Sequence, residues 1–254
     1  MTASTGSGWY RPGPLVIAHR GACRQAPENT LAAFRCAVDL GADAIELDAK
    51  LSADGVVFVH HDLTLDRTTS GSGRLSRLTS AELAKLDAGS QFGAAFAGEP
   101  IPTLAEVFET VGRRLLINVE LTNYEHVRDR LPDVVVALVH EKGVGSQVLF
   151  SSFNPLALRR ARNLAPEIPC ALLVEASGSG FRRGLFRAVT HFEFYHPQDG
   201  LATAGVFDRE HRRGRRVNVW TVNDPARLKA LARLGADGLI TDVPDIARQV
   251  LARG

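Results

Sequence analysis

Short apolar segments alternate with helical patterns along this chain, and their number constrains its fold more than any other feature. Eight of these segments are interpreted as parallel strands, at 15–18, 44–51, 115–121, 148–152, 171–174, 192–195, 217–222 and 238–241. Helical patterns lie near 28–40, 127–141, 155–163, 181–189, 203–213, 225–233 and 243–252, and a capping box at 103–106 opens one more helix. Alternation of this kind favours a parallel sheet covered by helices, and eight repeats predict a closed α/β TIM (β/α)8 barrel. An open doubly wound sheet is the alternative architecture.

Length and composition agree with one such domain. The chain has 254 residues, of which 45% are hydrophobic, and a barrel of this type typically needs about 250 residues. Its 30 Lys and Arg nearly balance its 28 Asp and Glu, so net charge gives no general attraction to nucleic acid. The three cysteines, Cys23, Cys36 and Cys170, are odd in number and lack metal-ligand spacing, which favours a reducing, cytoplasmic location.

The predicted domain organisation is simple. Residues 1–14 are small, polar and rich in Gly and Pro, and they are expected to form a flexible N-terminal segment. Residues 15–254 are expected to form one barrel domain. Residues 63–100 break the alternation with a Gly-rich polar loop and a short helix near 80–86, and they show no core of their own. We therefore expect 63–100 to be a small insertion over the barrel mouth, after the second strand and its hairpin.

The second predicted strand, 44–51, carries two carboxylates among apolar residues. Side chains alternate along a strand, so Glu46, Asp48 and Lys50 share one face while Ile45 and Leu47 face the other way. Neighbouring buried carboxylates repel each other and lose solvation, and a hard divalent cation with oxygen ligands offsets both costs. A solvated edge strand is the alternative, which the apolar opposite face makes weaker.

A hairpin is expected to bring a histidine to these carboxylates. Only residues 52–55 separate the second strand from the apolar segment 56–59, and Asp54-Gly55 is a strong hairpin-turn signal. Folding back at this turn places His60 or His61 opposite Asp48. By alternation the two histidines point in opposite directions, so a packing role is expected for His60.

Polar residues also occur where other strands end, which is the face at which TIM barrels place their reactive groups. These residues are His19, Arg20, Glu46, Asp48, Glu120, Ser151, Ser152, Phe153, Glu175, His196, Trp220 and Asp242. A single buried histidine or glutamate would be typical of ordinary packing or ion pairing. Three carboxylates and two histidines converging from separate segments instead indicate metal-assisted acid–base chemistry.

Short motifs in a fixed order then make a family resemblance visible. They are His19-Arg20-Gly21, Pro27-Glu28-Asn29-Thr30, Glu46-Leu47-Asp48, His61-Asp62 with Leu65-Asp66-Arg67-Thr68-Thr69, Ile101-Pro102-Thr103-Leu104, Asn118-Val119-Glu120, Ser151-Ser152-Phe153, Val219-Trp220-Thr221-Val222-Asn223 and Gly238-Leu239-Ile240-Thr241-Asp242. With these motifs the chain resembles the glycerophosphodiester phosphodiesterase family from about Leu15 to the C-terminus.

The resemblance implies roles for matching positions. It implies that Glu46, Asp48 and Glu120 bind a divalent cation, Mg²⁺ or Ca²⁺, and that His19 and His61 are the general acid/base pair. It also implies that Arg20 contacts the phosphate. Further expected substrate contacts are Lys50, Thr122, Phe153 and Trp220; the interpretation of Trp220 as barrel core stays open.

One position departs from the family pattern. Similar chains generally carry a lysine two residues after the third carboxylate, where this sequence has Thr122. If alternation continues past Glu120, Thr122 faces inward and leaves space and less positive charge at the mouth, with Lys50 as a compensating cation. Thr122→Lys is then expected to favour small glycerophosphodiesters over larger ones. The roles of two further residues stay open. Glu28 is either a partner of the site residues or a charge in the first turn of a helix, and His196 is a candidate contact at the rim of the barrel.

The expected function is metal-dependent hydrolysis of a small glycerophosphodiester to an alcohol and glycerol 3-phosphate. One alternative is the same chemistry on lysophospholipids at a membrane surface, where Phe181, Leu185 and Phe186 interleave with Arg182, Arg183 and Arg187. A solvated barrel helix explains that pattern more simply. The other alternative is a catalytically silent binding barrel, which the retained histidines and carboxylates disfavour.

Overall fold

The computed structural model describes residues 8–176 and 190–252, and these residues form a closed barrel. Eight parallel strands close on themselves, because the first strand pairs with both the second and the last. They are β1 (Leu15–His19), β2 (Ala44–Leu51), β4 (Leu116–Leu121), β5 (Val148–Ser152), β6 (Cys170–Val174), β7 (Phe194–Pro197), β8 (Arg216–Val219) and β9 (Gly238–Thr241). The predicted TIM barrel is confirmed, and the open sheet is excluded by the pairing of β1 with β2.

Helices connect these strands as the sequence pattern predicts. In the described residues they are α1 (Leu31–Asp39), α2 (Ser80–Leu83), α3 (Leu104–Val111), α4 (Leu131–Lys142), α5 (Pro155–Leu164), α6 (Ala204–His211), α7 (Pro225–Arg233) and α8 (Pro244–Ala252). The predicted helix at 181–189 lies outside the described residues. Within them, no helix combines the length and the apolar character that crossing a membrane requires.

The start of α1 differs from the expectation. The helix begins at Leu31 rather than near Glu28, because Thr30 has extended backbone geometry and its side chain accepts a hydrogen bond from the Ala33 N–H. Residues 27–29 are therefore free of the helix and are available to the barrel mouth.

The additional strand β3 (Val57–Val59) forms the predicted hairpin with β2. The pairing is antiparallel, with Ala49 opposite Val59, and Gly55 has a φ of +84° at the turn. A side chain with a Cβ would be strained in that left-handed conformation. The register places His60 beside Asp48, since the His60 N–H donates to the Asp48 carbonyl over 2.9 Å.

Alternation along the strands separates two packing environments. Ile45, Leu47 and Val119 belong to the large cluster between the barrel and its helices. Ile17, Ala44 and other inward residues form an apolar layer near the start of the strands. The inward-facing residues nearer the carboxyl ends of the strands are polar, so the candidate functional groups lie directly above this apolar layer.

Part of the N-terminal segment is packed rather than flexible. Gly8–Tyr10 forms a 3₁₀ turn, the Trp9 side chain is completely buried, and its Nε1 donates to the Gln147 carbonyl over 2.8 Å. Trp9 meets Phe194 edge to face in the inner apolar cluster. The expectation of flexibility fails for this part because one tryptophan buries enough apolar surface to hold a short polar segment.

The insertion 63–100 also has a small core, which the sequence analysis did not expect. Leu65, Leu75 and Leu83 are buried together with Phe58 of the hairpin and Ile101. Arg74 forms an ion pair with Glu125, which lies between β4 and α4 on the mouth side of the barrel. The insertion is thus attached to the hairpin and to a mouth loop, and its apolar residues were too widely spaced to indicate a cluster.

Candidate active site

Strand register brings the predicted carboxylates to one end of the barrel. Glu46 is aligned with His19 on β1 and with Asn118 on β4, while Asp48 is aligned with Glu120 one layer nearer the mouth. A single pocket is lined by His19, Arg20, Glu46, Asp48, His61, Asn118, Glu120, Phe153, Leu173, Trp220 and Ile240. All predicted site residues except Lys50 and Thr122 therefore border one cavity.

The three carboxylates form a compact acidic cluster. Glu46, Asp48 and Glu120 each offer an oxygen, and these oxygens lie within 4.8 Å of one another. Burial raises the pKa of Glu46 well above its ordinary value, and the charges of Asp48 and Glu120 raise it further. Burial and the charge of Asp48 likewise raise the pKa of Glu120 to about 8. An all-oxygen set with unfavourable crowding of negative charge fits a hard divalent cation such as Mg²⁺ or Ca²⁺.

Asp48 keeps its negative charge through its neighbours. Burial alone would raise its pKa, but the Arg20 guanidinium, with Nε 3.5 Å from Asp48 Oδ2, and the charge of His61 hold the pKa below its usual value. Asn29 donates from Nδ2 to the same carboxylate over 2.9 Å. Asn29 thus orients Asp48, a predicted metal ligand.

The turn after β1 shapes this arrangement. Arg20 and Gly21 have φ values of +55° and +82°, and the Arg20 N–H donates to Glu46 Oε2 over 3.1 Å. A Cβ at Gly21 would lie 2.8 Å from the backbone of Ala33 on α1. The left-handed turn thus places a backbone donor on one carboxylate and the Arg20 side chain on another.

Glu28 is a site partner rather than a first-turn helix charge. Its carboxylate accepts from Arg20 Nη1 over 2.9 Å and from Arg67 Nη1 and Nη2 over 2.8 and 2.7 Å. Burial would raise the pKa of Glu28, but these arginines lower it. The helix interpretation fails because α1 starts three residues later, which leaves Glu28 to link the insertion to Arg20.

Both histidines in the pocket have Nδ1 held by a carboxylate. His19 Nδ1 lies 2.7 Å from Asp242 Oδ1, and Asn223 Nδ2 donates to Asp242 Oδ2 over 2.7 Å. His61 Nδ1 lies 2.6 Å from Asp62 Oδ1, and Asp62 also accepts from Arg67. A carboxylate at Nδ1 fixes the tautomer with its proton there, leaving Nε2 as the nitrogen for proton transfer.

His60 behaves differently from His61. Its side chain is buried, and its Nε2 lies 3.0 Å from the Thr64 carbonyl. Burial lowers the pKa of His60, which favours the neutral form. The pocket lining includes His61 and not His60, in agreement with the predicted alternation.

Two aromatic side chains form a wall of the pocket. Phe153 and Trp220 meet edge to face with ring centroids 5.5 Å apart. Trp220 Nε1 donates to the His196 carbonyl over 2.8 Å, so the indole lines the cavity with its polar atom satisfied. Tyr124 packs against Phe153 and donates its hydroxyl to Glu120 Oε1 over 2.6 Å.

Lys50 and Thr122 lie beside this pocket, in a neighbouring depression that also includes Leu63 and Glu125. β4 ends at Leu121, so strand alternation does not extend to Thr122. The Thr122 hydroxyl donates to the Ala49 carbonyl over 2.6 Å and accepts from Lys50 Nζ over 2.9 Å. These two hydrogen bonds let Thr122 position the Lys50 ammonium, and a direct contact of Thr122 with the substrate stays a prediction.

His196 is not a rim contact. It is fully buried, and Asn218 Nδ2 donates to its Nε2 over 2.9 Å. Burial lowers the pKa of His196 to about 3. His196 lies near the end of β7, but the closed barrel buries this end of the strand, so the side chain does not reach the rim.

Sequence reasoning missed several members of this site. Tyr124 and Arg67 hold predicted site residues by hydrogen bonds, and the Cys23 Sγ lies 3.3 Å from Asp242 Oδ1. Arg67 belongs to the motif Leu65-Asp66-Arg67-Thr68-Thr69, whose residues alone do not indicate its contacts. The signal for Tyr124 was its position four residues after Glu120. Cys23 had no signal beyond its closeness to His19 in the chain.

Comparison with known proteins gives consistent similarity over nearly the whole chain. Residues 19–246 match the model of the glycerophosphoryl diester phosphodiesterase family. A glycerophosphodiester phosphodiesterase of Caldanaerobacter subterraneus subsp. tengcongensis is 37% identical over 246 residues, covering 94% of this chain and 98% of that protein. One of Bacillus altitudinis is 33% identical, covering 92% and 97%.

A solved structure extends the similarity to three dimensions. An Oleispira antarctica phosphodiesterase, determined in complex with its product sn-glycerol-3-phosphate, is 32% identical and superposes with a TM-score of 0.85. The match covers 94% of this chain and 97% of the other. Sequence and fold thus point to the same family.

Proposed function

This chain belongs to the glycerophosphoryl diester phosphodiesterase family, and we propose that its barrel-mouth pocket hydrolyses small glycerophosphodiesters with a divalent cation and two histidines. Membership makes the chain a glycerophosphodiester phosphodiesterase, with an alcohol and glycerol 3-phosphate as the proposed products. The observation that supports the mechanism most directly is the convergence of Glu46, Asp48 and Glu120 within 4.8 Å in the pocket that His19 and His61 line.

The carboxylates are the groups that would hold the cation. Glu46 and Glu120 have raised pKa values because buried negative charges crowd together, and their donor set contains only oxygen. A bound divalent cation would offset the negative charge of the phosphodiester. Mg²⁺ and Ca²⁺ both accept such ligands, so the choice between them is left to binding measurements.

Arg20 supplies positive charge from the protein itself. Its guanidinium is only 17% exposed and is held between Glu28 and Asp48. Burial would lower the pKa of Arg20, but the charges of Asp48 and Glu28 raise it, so the side chain stays charged. A fixed guanidinium at this position can contact a phosphate oxygen and stabilise the charge that develops as the diester is attacked.

The histidines divide the proton transfers. Hydrolysis requires the nucleophile, water or a neighbouring hydroxyl of the glycerol group, to lose a proton and the leaving alkoxide to gain one. With Nδ1 held by Asp242 or Asp62, each imidazole presents Nε2 for one of these steps. The wall formed by Phe153 and Trp220 would contact the apolar carbons of the glycerol or alcohol group.

The test is an assay of glycerol 3-phosphate release against a panel of glycerophosphodiesters and lysophospholipids, with and without chelator. We expect turnover of the small diesters that EDTA abolishes and that added Mg²⁺ or Ca²⁺ restores. Glu46→Gln should remove cation binding in calorimetry, whereas Glu109→Gln, which makes the same change at a carboxylate that is 62% exposed, should leave it unchanged. Full activity in excess EDTA would reject the metal assignment.

A further inference from the structure

A thiol lies next to the His19–Asp242 pair. Cys23 Sγ is 3.3 Å from Asp242 Oδ1, and His19 Nδ1 is 2.7 Å from the same oxygen. The three residues offer sulfur, nitrogen and oxygen ligands within 4.8 Å of one another. This cluster is separate from the acidic cluster and uses a different set of ligand atoms.

The spacing suits tetrahedral zinc. With Zn–S near 2.3 Å and Zn–N and Zn–O near 2.0 Å, ligand atoms around tetrahedral zinc are about 3.3–3.7 Å apart. The 3.3 Å between Cys23 Sγ and Asp242 Oδ1 lies at the lower end of this range, and the 2.7 Å between His19 Nδ1 and Asp242 Oδ1 is below it by well under an ångström, so small side-chain shifts would admit the ion. The His19 and Asp242 side chains are 18% and 17% exposed and Cys23 is partly exposed, so ions and water can reach the cluster from solvent.

The neighbouring groups hold the cluster in place. Burial and the charge of Asp242 raise the pKa of the Cys23 thiol to about 12, so the metal-free protein carries the thiol, and a metal ion must displace its proton to bind the sulfur. Asn223 Nδ2 donates to Asp242 Oδ2, which orients this carboxylate with Oδ1 toward both Cys23 and His19. Orientation of a ligating carboxylate by a second hydrogen bond is a regular feature of metal sites.

The two clusters would select different cations. Carboxylate oxygens in the acidic cluster suit hard Mg²⁺ or Ca²⁺, whereas sulfur and imidazole nitrogen suit Zn²⁺ and Co²⁺. We propose that His19, Cys23 and Asp242 form a second cation site that binds thiophilic divalent metals and thereby inhibits the enzyme. The inhibitory part rests on the function proposed for His19, whereas the cation site does not.

Inhibition follows from where the ion would sit. Binding releases the Cys23 thiol proton to solvent and moves the imidazole proton of His19 from Nδ1 to Nε2. With the metal on Nδ1, the Nε2 proton is retained throughout the pH range of the reaction, so His19 can neither accept nor exchange a proton. Asp242 would at the same time lose its hydrogen bond to His19 and bind the metal ion instead.

The first experiment measures binding without activity. Protein saturated with Mg²⁺ is titrated with Co²⁺, and the near-ultraviolet thiolate-to-cobalt charge-transfer band is recorded for wild type, Cys23→Ala, Cys23→Ser and Cys36→Ala. Cys36 is a partly exposed thiol on α1 and serves as the matched control. The band should appear in wild type and Cys36→Ala and be absent from both Cys23 variants. An unchanged band in a folded Cys23 variant would overturn the site.

The second experiment measures Zn²⁺ inhibition of diester hydrolysis at saturating Mg²⁺. Loss of one of three ligands should raise the half-inhibitory Zn²⁺ concentration of both Cys23 variants at least about tenfold, while Cys36→Ala matches wild type. Equal Zn²⁺ sensitivity of wild type and the Cys23 variants would overturn the inhibitory role. If wild type releases no glycerol 3-phosphate with either Mg²⁺ or Ca²⁺, the proposed function fails, and the cobalt spectrum still decides the site.

Discussion

At the scale of single residues, the Lys50–Thr122 pair takes the place of the lysine that similar chains generally carry at position 122. The Thr122 hydroxyl is fixed between the Ala49 carbonyl and Lys50 Nζ. Burial lowers the pKa of Lys50, while the charges of Asp48 and Glu120 act in the opposite direction. The ammonium group is thus held near the acidic cluster from β2.

Thr122→Val should therefore impair substrate binding through Lys50. Valine keeps the shape of threonine but removes the hydroxyl that orients the ammonium, so we expect KM for small diesters to rise about tenfold, the effect of one charge-assisted hydrogen bond. Thr122→Ser retains the hydroxyl and should stay near wild type. Steady-state kinetics of the two variants make the comparison, and equal KM values would remove Lys50 from the binding role.

The histidines offer a second comparison at this scale. His19→Ala and His61→Ala should each lower kcat about 10²–10⁴-fold, as lost acid–base groups do. His60→Ala should instead lower the free energy of unfolding by about 1–3 kcal/mol, because it removes a buried side chain together with its hydrogen bond to the Thr64 carbonyl. Kinetics and thermal melting separate these effects. A larger fall in kcat for His60→Ala, at unchanged stability, would contradict the hairpin register.

Some residue roles could be predicted from sequence and others could not. Period-two alternation was sufficient to place Glu46 and Asp48 on one face, and the short hairpin was sufficient to bring His61 to them. The partner of His19 is Asp242, 223 positions away, and only barrel closure brings them together. Although Asp242 was recognised as a strand-end residue, its pairing could not be read from local pattern.

At the scale of elements, the insertion acts on the site through one arginine. Arg67 donates to Glu28, which holds Arg20, and to Asp62, which holds His61. The hydrogen bonds from Arg67 lower the pKa of Asp62, and the charge of His61 lowers it further. Partial burial acts in the opposite direction, but the pKa stays below its usual value. The insertion therefore supports both the proposed phosphate contact and a proposed acid–base group.

Arg67→Met should lower kcat/KM about tenfold, the effect of losing one or two charge-assisted hydrogen bonds, and should leave cation affinity nearly unchanged. The carboxylates of the acidic cluster lie outside the direct contacts of Arg67. Arg74→Met is the matched control, since Arg74 is also in the insertion but pairs with Glu125. Kinetics and calorimetric cation titration would test this, and an equal loss in both variants would indicate general loosening of the insertion.

The elements themselves were largely predictable. Asp54-Gly55 and the alternating apolar segments predicted the pairing of β2 with β3, and the helical pattern near 225–233 predicted α7. Trp9 and the cluster around Leu65 were missed for one physical reason. Their burial depends on surfaces supplied by distant residues, so no periodic pattern forms in the local sequence.

At the scale of the whole molecule, closure of the barrel places polar groups where water has little access. His196, Asn118 and Asn218 are fully buried, and in the described part of the chain His196 Nδ1 has no hydrogen-bond partner. Protonation of His196 would place a positive charge inside the barrel without a counter-ion. Its pKa is lowered to about 3 for this reason.

This lowered pKa predicts a loss of stability in mild acid. The unfolded chain takes up the His196 proton as pH falls below about 6.5, whereas the folded protein remains neutral until about pH 3. Protons therefore favour the unfolded state across that interval, and at pH 5 the cost is about 2 kcal/mol, from 1.36 kcal/mol per pH step below the unfolded pKa. Stability should be unaffected by this group above pH 7.

Urea unfolding at pH 7 and pH 5 would measure the effect. Wild type should lose this amount of unfolding free energy between the two conditions, and His196→Gln should lose about 2 kcal/mol less, whatever its stability at pH 7. His211→Gln serves as control, because His211 is 39% exposed and pairs with Asp237. The pH dependence of this variant should match that of wild type. An identical slope in wild type and His196→Gln would show that the buried imidazole accepts a proton at little cost.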